Sequence, residues 1–493
     1  MKTIHTILAL VLFLVAPALH AADGALDFSP ASQQRVEVLN FAGLGISTEV
    51  TVEFWVLSTS NIIAQSVFML NPDTPTNRFQ SHVNYFNGNT YWDFGDIGAP
   101  APSTGRVSLA NQGSWLNNWT HFALVASQTG NFMKIYANGA QVASSTSFND
   151  LDLAALNTQG TILSIGGKSG TYFQGKIDDF RVWNIARSQA DIQRDFSRPL
   201  TGNEPGLRLY FKFDEGSGPT AVNSATATGV AFNGTLVNGP VWSNPAPSTY
   251  VSNTNDSGPG SLRQALTDAA ALPDSDTITF DAALSGQTIT LASEIIIADA
   301  AGVTVDARAL TDGITVHGGA GKNRIFSIAA VANVALLGLT LTDGNGVGAM
   351  VSNSGGAIYN AGNLTATNCI FTGNSVSSSG GAIRNAATLT LMDCTLSANT
   401  AASSGGAVTT DSGSSASFTR CTFSANTSTA LSLGGGAINH SAGALSCILS
   451  HCTFNGNNAS GGVGSSGGGI RNRGSGLVLN YCLLAGNLCA KGT

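Results

Sequence analysis

Charge is what this chain has least of. Only 10% of its 493 residues are Asp, Glu, Lys or Arg, against roughly a quarter in an ordinary soluble protein. The formal net charge is −7 and no basic block occurs, which excludes nucleic acid as a partner because phosphate binding needs a Lys/Arg surface. Acid is scarcer still toward the end: from Gly344 onward Asp393 and Asp411 are the only carboxylates, and Glu is absent. Residues 23–245 contain no cysteine yet hold all six tryptophans. Low charge combined with 43% apolar residues also argues against disorder, which is charged and poor in apolar groups. The 58 glycines, together with abundant Ser, Thr, Ala and Asn, point to tightly turned β structure.

Long hydrophobic runs are almost missing. Ile7–Ala16 is apolar behind Lys2, with small residues at Ala18, Ala21 and Ala22. This reads as a secretory signal peptide over 1–22, cleaved after Ala21 or Ala22, and it predicts a secreted or cell-surface protein. An uncleaved anchor is the alternative, although the run is short for a spanning helix. The other apolar stretch, Ile325–Thr342, contains a turn-like Ala332-Asn333 pair and Gly338. Two buried strands explain it better than a membrane helix.

Between 23 and 245 short alternating runs recur: Glu49–Val56 (EVTVEFWV), Trp119–Val125 (WTHFALV), Met133–Tyr136 before Ala137-Asn138-Gly139, and Thr161–Ile165 before Gly166-Gly167. Many short strands punctuated by Asn-Gly and Gly-Gly turns predict an antiparallel sandwich. With GKIDDFRVWNIARSQADIQRDF and LRLYFKFDEGSG following in order, the segment resembles the laminin-G-like jelly roll of the concanavalin A-like superfamily. The resemblance implies two packed antiparallel sheets that bind glycans or proteins. It also implies a structural Ca²⁺ site, with Asp27, Asp178 and Asp179 at the matching positions. Pairing of Asp178 and Asp179 with Lys176 or Arg181, or capping of the following turn, is the competing explanation. Calcium would need six to eight oxygens, several from backbone carbonyls.

Residues 246–260 read as a linker, beginning in Asn244-Pro-Ala-Pro-Ser248. A capping helix is expected over 261–270, with Ser261 and Gln264 forming a capping box and Leu262, Ala265, Leu266 and Ala269 on one face. The remainder, 261–493, is strand after strand and then a repeat. GGA(I/V) begins at Gly355, Gly380, Gly405 and Gly435, with GGGI at Gly467. Cys-x-(Phe/Leu)-x-(Gly/Ala)-Asn begins at Cys369, Cys394, Cys421, Cys452 and Cys482. Units this short cannot bury a core alone and must stack. The region resembles a right-handed parallel β-helix of the pectate-lyase-like class, and more narrowly the repeats of polymorphic outer-membrane and autotransporter passengers. The predicted fold class is therefore all-β, an antiparallel jelly-roll sandwich followed by a right-handed parallel β-helix.

Slots five and three residues before each repeat cysteine are apolar in every unit, from Leu364 and Ala366 to Leu477 and Leu479. The cysteine and the Phe/Leu two residues later continue the same inward alternation. Cysteines in such a column act as small buried hydrophobes; parallel Cβ vectors disfavour disulfides, though a secreted location keeps them open. Cys447 falls in a Leu slot, and Cys489, outside every column, is expected to be a free thiol. The repeat asparagines are expected to form an amide ladder at a bend, with Asn itself left-handed and the Gly-Gly pairs permitting another bend.

No catalytic residue can be named. Asp393 and Asp411 are not placed together, and Asp276, Asp281, Glu294, Asp299, Asp306, Asp312, His317 and Asp343 are scattered through the earlier rungs, whereas hydrolysis needs two facing carboxylates. Tyr85, Phe86, Tyr91 and Trp92 surround Asn87-Gly88-Asn89. As loop residues they would make a recognition surface; as strand residues they would be core. Tyr85, Tyr91 and Trp92 are the ligand-binding candidates. The reading favours an exported, non-catalytic surface protein for adhesion, binding a glycan or a surface protein. The alternative is a carbohydrate-active enzyme, lyase or hydrolase, with the jelly roll as its binding module. A last rung without a cap also predicts either a fragment or a second chain covering that end.

Overall fold

The computed structural model describes residues 24–489 except 47, 72–77, 98–104, 111–114, 147–160, 273–274, 320–322, 431–433 and 462–466. The signal peptide assigned to 1–22 lies outside the described residues. The chain divides into two compact units, one of residues 1–189 and 201–245, the other of residues 190–200 and 246–493. The main division falls after Pro245, and residues 190–200 join the second unit. The segment read as linker also contains a strand, Tyr250–Val251, which pairs in parallel with Asp276–Phe280.

Among the described residues, the first unit forms two antiparallel eight-stranded sheets. The first contains β1 (Ala25–Phe28), β3 (Glu49–Ser58), β8 (Thr120–Ser127), β9 (Phe132–Ala137), β10 (Ala140–Ser145), β12 (Gly175–Trp183), β13 (Leu207–Phe211) and β16 (Val241–Ser243). The second contains β2 (Arg35–Leu39), β4 (Phe68–Asn71), β5 (Arg78–His82), β6 (Thr90–Gly95), β7 (Arg106–Leu109), β11 (Ile162–Ile165), β14 (Thr220–Ala221) and β15 (Gly234–Val237). Period-two alternation aims Val52, Phe54 and Val56 at one side of the core and Phe68, Phe79 and Phe94 at the other, all nearly fully buried. Phe54 stacks on Phe180 at 6.0 Å, and Phe68 meets Phe79 at 5.3 Å, packing that stabilises beyond the area buried.

The second unit is a parallel solenoid which, among the described residues, has four sheets of nine, eight, seven and five strands. Its start is covered by the helix Leu262–Ala269, whose buried face is Leu262, Ala265, Leu266 and Ala269. Only half the expected capping box forms. Ser261 Oγ accepts from the Gln264 backbone N–H, but the Gln264 side chain donates to Asp268 instead of reaching back. Ile325–Thr342 contributes three short strands, Phe326–Ile328, Asn333–Leu337 and Leu339–Thr342, one more than expected. Among the described residues, no helix is long and apolar enough to cross a membrane.

The expected columns stack in register. Leu364 pairs with Leu389, Ala366 with Leu391, and Phe371 with Leu396, all buried. Four ladder bonds run Asn374→Asn399→Asn426→Asn457→Asn487 at 3.0, 2.9, 2.9 and 2.8 Å. The left-handed residues are not the asparagines. They are the residues just before each of them (Gly373, Ala398, Ala425, Gly456, Gly486) and just before each cysteine (Asn368, Asp393, Arg420, His451, Tyr481). The asparagine amide is committed to its neighbours, so the preceding small residue absorbs the turn.

Cys369, Cys394, Cys421 and Cys452 are buried and unbridged, each Sγ donating to backbone carbonyls, as from Cys394 to Met392 at 3.2 Å. The adjacent thiol and burial push Cys394 and Cys421 up to about 12, and burial does the same for Cys447. Cys369 is shifted down by the Cys394 thiol, but it is fully buried. Cys489 is exposed and Cys482 half-buried. Because attack requires an accessible thiolate, an aromatic disulfide reagent should label Cys489 quickly, Cys482 slowly and the five buried thiols only after unfolding. Mass spectrometry of labelled peptides checks this, and rapid native labelling of any buried thiol would contradict it.

Candidate functional site

The outward face of the second sheet carries a row of side chains that is polar except at Met69. Register aligns Glu37 with Ser164, Ser164 with Met69, Met69 with Gln80, Gln80 with Asp93 and Asp93 with Arg106. Asp93 is fully buried and accepts from Arg106 twice, at 2.5 and 2.6 Å, and from Gln80 Nε2 at 2.8 Å. His82 packs one row along. Its Nδ1 lies 2.7 Å from the Gln65 carbonyl and its Nε2 lies 3.1 Å from the Gln80 amide. This geometry assigns the proton to Nδ1 and makes Nε2 an acceptor. Burial lowers the His82 pKa, so the ring stays neutral near pH 7. Although burial opposes it, bonding to Asp93 raises that of Arg106.

At the end of this row the β5–β6 hairpin presents aromatic rings. Phe86 is 58% exposed, and Tyr85 and Tyr91 are half-buried. Tyr85 lies 4.7 Å from Phe86 and 5.9 Å from Tyr91 between ring centroids, and the Arg106 guanidinium sits 4.5 Å over Tyr91. Asn87 Nδ2 and Asn89 Nδ2 donate to the Tyr91 hydroxyl at 2.6 and 3.1 Å. The Tyr91 ring is therefore held from both ends, by the hairpin amides and by the guanidinium over its face. Trp92 does not belong to this surface. Strand alternation turns it inward, where it is fully buried, meets Phe79 edge-on at 5.5 Å and donates to the Val125 carbonyl at 3.3 Å.

The three aspartates expected to hold calcium lie on the first sheet. Asp27 is opposite Lys176, and Asp178 and Asp179 fall at a β-bulge where Asp179 adopts φ +48°. Asp178 Oδ1 accepts from the Asp179 N–H at 2.7 Å, and Asp179 Oδ2 pairs with Arg181 at 3.0 Å. Arg181 thus engages one oxygen of the Asp179 carboxylate. Among the described residues, no group of three or more His, Cys, Asp or Glu is arranged to hold a metal.

A second polar cluster on that sheet is buried. Glu53, fully buried, pairs with Arg187 at 2.7 Å and Arg181 at 3.7 Å, beside a buried His121. Burial, reinforced by both arginines, pushes His121 well below its ordinary pKa. In the solenoid four of the scattered acids pair with arginines: Glu294 with Arg324, Asp306 with Arg308, Asp393 with Arg420, and Asp411 with Arg384. His317 Nδ1 accepts from the Gly319 N–H, which leaves Nε2 to donate to Asp343 at 3.2 Å.

Residues 30–193 match the family model of the concanavalin A-like lectin/glucanases superfamily, and residues 295–478 match that of the right handed beta helix region. The sandwich is a concanavalin A-like domain and the solenoid a right-handed β-helix. Pappalysin-1 of Mus musculus is 36% identical over 98 residues, 20% of this chain and 6% of its own length. A candidate carbohydrate binding protein from Bacteroides ovatus is 18% identical, over 46% of this chain and 60% of its own, with a TM-score of 0.34. The CBM40 of the Ruminococcus gnavus IT-sialidase, solved with α2,3 sialyllactose, is 14% identical over 34% of this chain and 95% of its own, with a TM-score of 0.27. The chain thus spans a small fraction of its curated relative and 60% of the first of these structures.

Of the aromatic residues around Asn87-Gly88-Asn89, Tyr85, Phe86 and Tyr91 lie at the surface, Phe86 the most exposed of the three, and Trp92 is core. Gln80, His82, Asp93 and Arg106, which adjoin them, carry no signal of that proximity in the sequence. The alternation Tyr91-Trp92-Asp93-Phe94, read as strand and not as loop, is the signal that separates the two faces.

Proposed function

We propose that this chain is an exported glycan-binding protein whose concanavalin A-like domain recognises sugar while the β-helix carries it at the cell surface. The observation that carries this reading is the braced aromatic surface of Tyr85, Phe86 and Tyr91. Exposed rings next to fixed amides and a polar row suit a ligand with apolar C–H faces and a periphery of hydroxyls. The apolar Ile7–Ala16 run supports export. Pairing of Glu294, Asp306, Asp393 and Asp411 with arginines favours binding over turnover.

Phe86→Ala and Tyr91→Ala should each weaken the best ligand from a glycan array by roughly 10-fold, about 1.4 kcal/mol, with the thermal unfolding of the Phe86 variant unchanged. Isothermal titration measures the first and circular dichroism the second. Wild-type affinity in both variants, or release of reducing ends from a bound polysaccharide, would overturn the reading.

A further inference from the structure

We infer that the Tyr85–Phe86–Tyr91 surface takes glycans that carry a carboxylated sugar, and that Arg106 is the residue that selects the carboxylate. This rests on the reading of that surface as a glycan site. Strand alternation puts Arg106 and Ser108 on the outward face of β7 and turns Val107 inward. A guanidinium can grip a carboxylate along two kinds of edge, one made by Nε with an Nη group and one made by both Nη groups. Asp93 takes the first, through Nε and Nη2, at 2.5 and 2.6 Å. The second edge is left over. Nη1 makes no hydrogen bond among the described residues, and 31% of the Arg106 side chain is exposed. Asp93 is fully buried, so it fixes the guanidinium without presenting its own charge to a ligand. With Tyr91 packed 4.5 Å from it as well, the guanidinium is held in place before a ligand arrives, which lowers the ordering cost of binding.

The charge on this face has the matching sign. Arg35, Lys168, Arg78 and Arg106 stand against Glu37 and Asp93, and both of those acids are already paired with cations. Arg78 and, just past β6, Asp96 are each engaged already. An excess of positive charge draws an anion toward the face, and the open edge of Arg106 gives it a directed partner. From Arg106 a continuous strip of rings follows, Tyr91, Tyr85 and Phe86, with successive centroids 5.9 and 4.7 Å apart. Ser108, exposed opposite Tyr91, adds a hydroxyl beside it. A sugar acid held at Arg106 therefore places the C–H face of its neighbour in the chain against the exposed Phe86 ring.

The test titrates the intact protein with acid and neutral forms of the same glycan. One set is an oligogalacturonate, its methyl ester and the corresponding oligogalactoside; the other is sialyllactose and lactose. The expected result is that a carboxylated probe binds roughly 10-fold or more tightly than its neutral counterpart, the worth of one hydrogen bond to a charged group. That preference should shrink between about 50 and about 500 mM NaCl as the charges are screened, and Phe86→Ala should weaken both forms. Whichever set shows the preference identifies the sugar acid. Asp93→Asn combined with Arg106→Gln removes both members of the buried pair together; once shown to be folded by circular dichroism, this variant should bind acid and ester alike. The ester comparison is made on the wild-type protein and stands whatever the stability of that variant. Equal affinity for acid and neutral forms, with both weakened by Phe86→Ala, would overturn the inference while leaving the glycan site in place. A preference that persists in the folded double variant would overturn the role of Arg106. Binding untouched by Phe86→Ala, or no binding by any probe, would remove the glycan site and the inference with it.

Discussion

Gly406→Ala is expected to disrupt the solenoid around its rung, with a stability loss above about 4 kcal/mol, a size reserved for a few severe mechanisms. The second glycine of each GGA unit forms a column in which every member faces a backbone carbonyl of the next rung. A Cβ on Gly356, Gly381, Gly406 or Gly436 would collide with the carbonyl oxygen of Gly381, Gly406, Gly436 or Gly468 respectively. The obstacle is backbone, fixed by parallel hydrogen bonds such as Gly406 N–H to Gly435 O at 3.0 Å, so it cannot swing aside. Conformational freedom at a bend, the expectation from sequence, holds for the first glycine, left-handed at Gly355, Gly380 and Gly405; the second is required by space. Gly413 supplies the control. It has φ +79° but no atom within 4 Å of the place a methyl group would take, so alanine there should cost only about 1–2 kcal/mol. Guanidinium unfolding of both variants checks the contrast, and equal midpoint shifts would refute the packing argument.

Asn426→Leu should be the next most damaging substitution, at about 3–6 kcal/mol, because it leaves several buried polar groups unmatched at about 1–3 kcal/mol each. Asn426 is fully buried. Its Nδ2 donates to the Leu396 carbonyl and to Asn457 Oδ1, both at 2.9 Å. Its Oδ1 accepts from the Asn399 N–H at 3.1 Å and from Asn399 Nδ2 at 2.9 Å. Leucine matches the volume but offers neither a donor nor an acceptor. The Asn399 N–H and the Leu396 carbonyl would then lie in a low-dielectric interior without those partners. The same change at Asn487, at the half-buried end of the ladder, should cost much less because water reaches the vacated groups. Denaturant midpoints of the two variants decide the point; indistinguishable values would mean that the ladder contributes no more than its terminal bond.

These two columns also show what the sequence could and could not reveal. Leu364, Cys369, Phe371 and Asn374 recur with their chemistry intact, so inward slots and the ladder were legible without coordinates. Each rung is a local unit copied onto its neighbour, and a repeat states its own register. The sandwich has no such internal copy. Glu37, Ser164 and Gln80 lie in one row with Asp93 and Arg106, yet the strands of Glu37, Ser164 and Gln80 are far apart in the chain and no local pattern specifies that β11 comes between β2 and β4. Trp92 shows the same gap at short range. Tyr91 and Trp92 are adjacent in sequence but on opposite faces of one strand, and composition alone does not say whether that stretch is strand or loop.

The asparagine ladder keeps its length while the chain between its rungs does not. Successive bonds join residues 25, 27, 31 and 30 positions apart, yet all fall between 2.8 and 3.0 Å. Extra residues are therefore absorbed outside the stacked strands, and the amide line acts as a ruler that resets the axial repeat at every turn. Such a scaffold tolerates inserted peptide at one corner of a turn without passing the disturbance along its axis, which makes it a rod on which exposed loops can diversify independently.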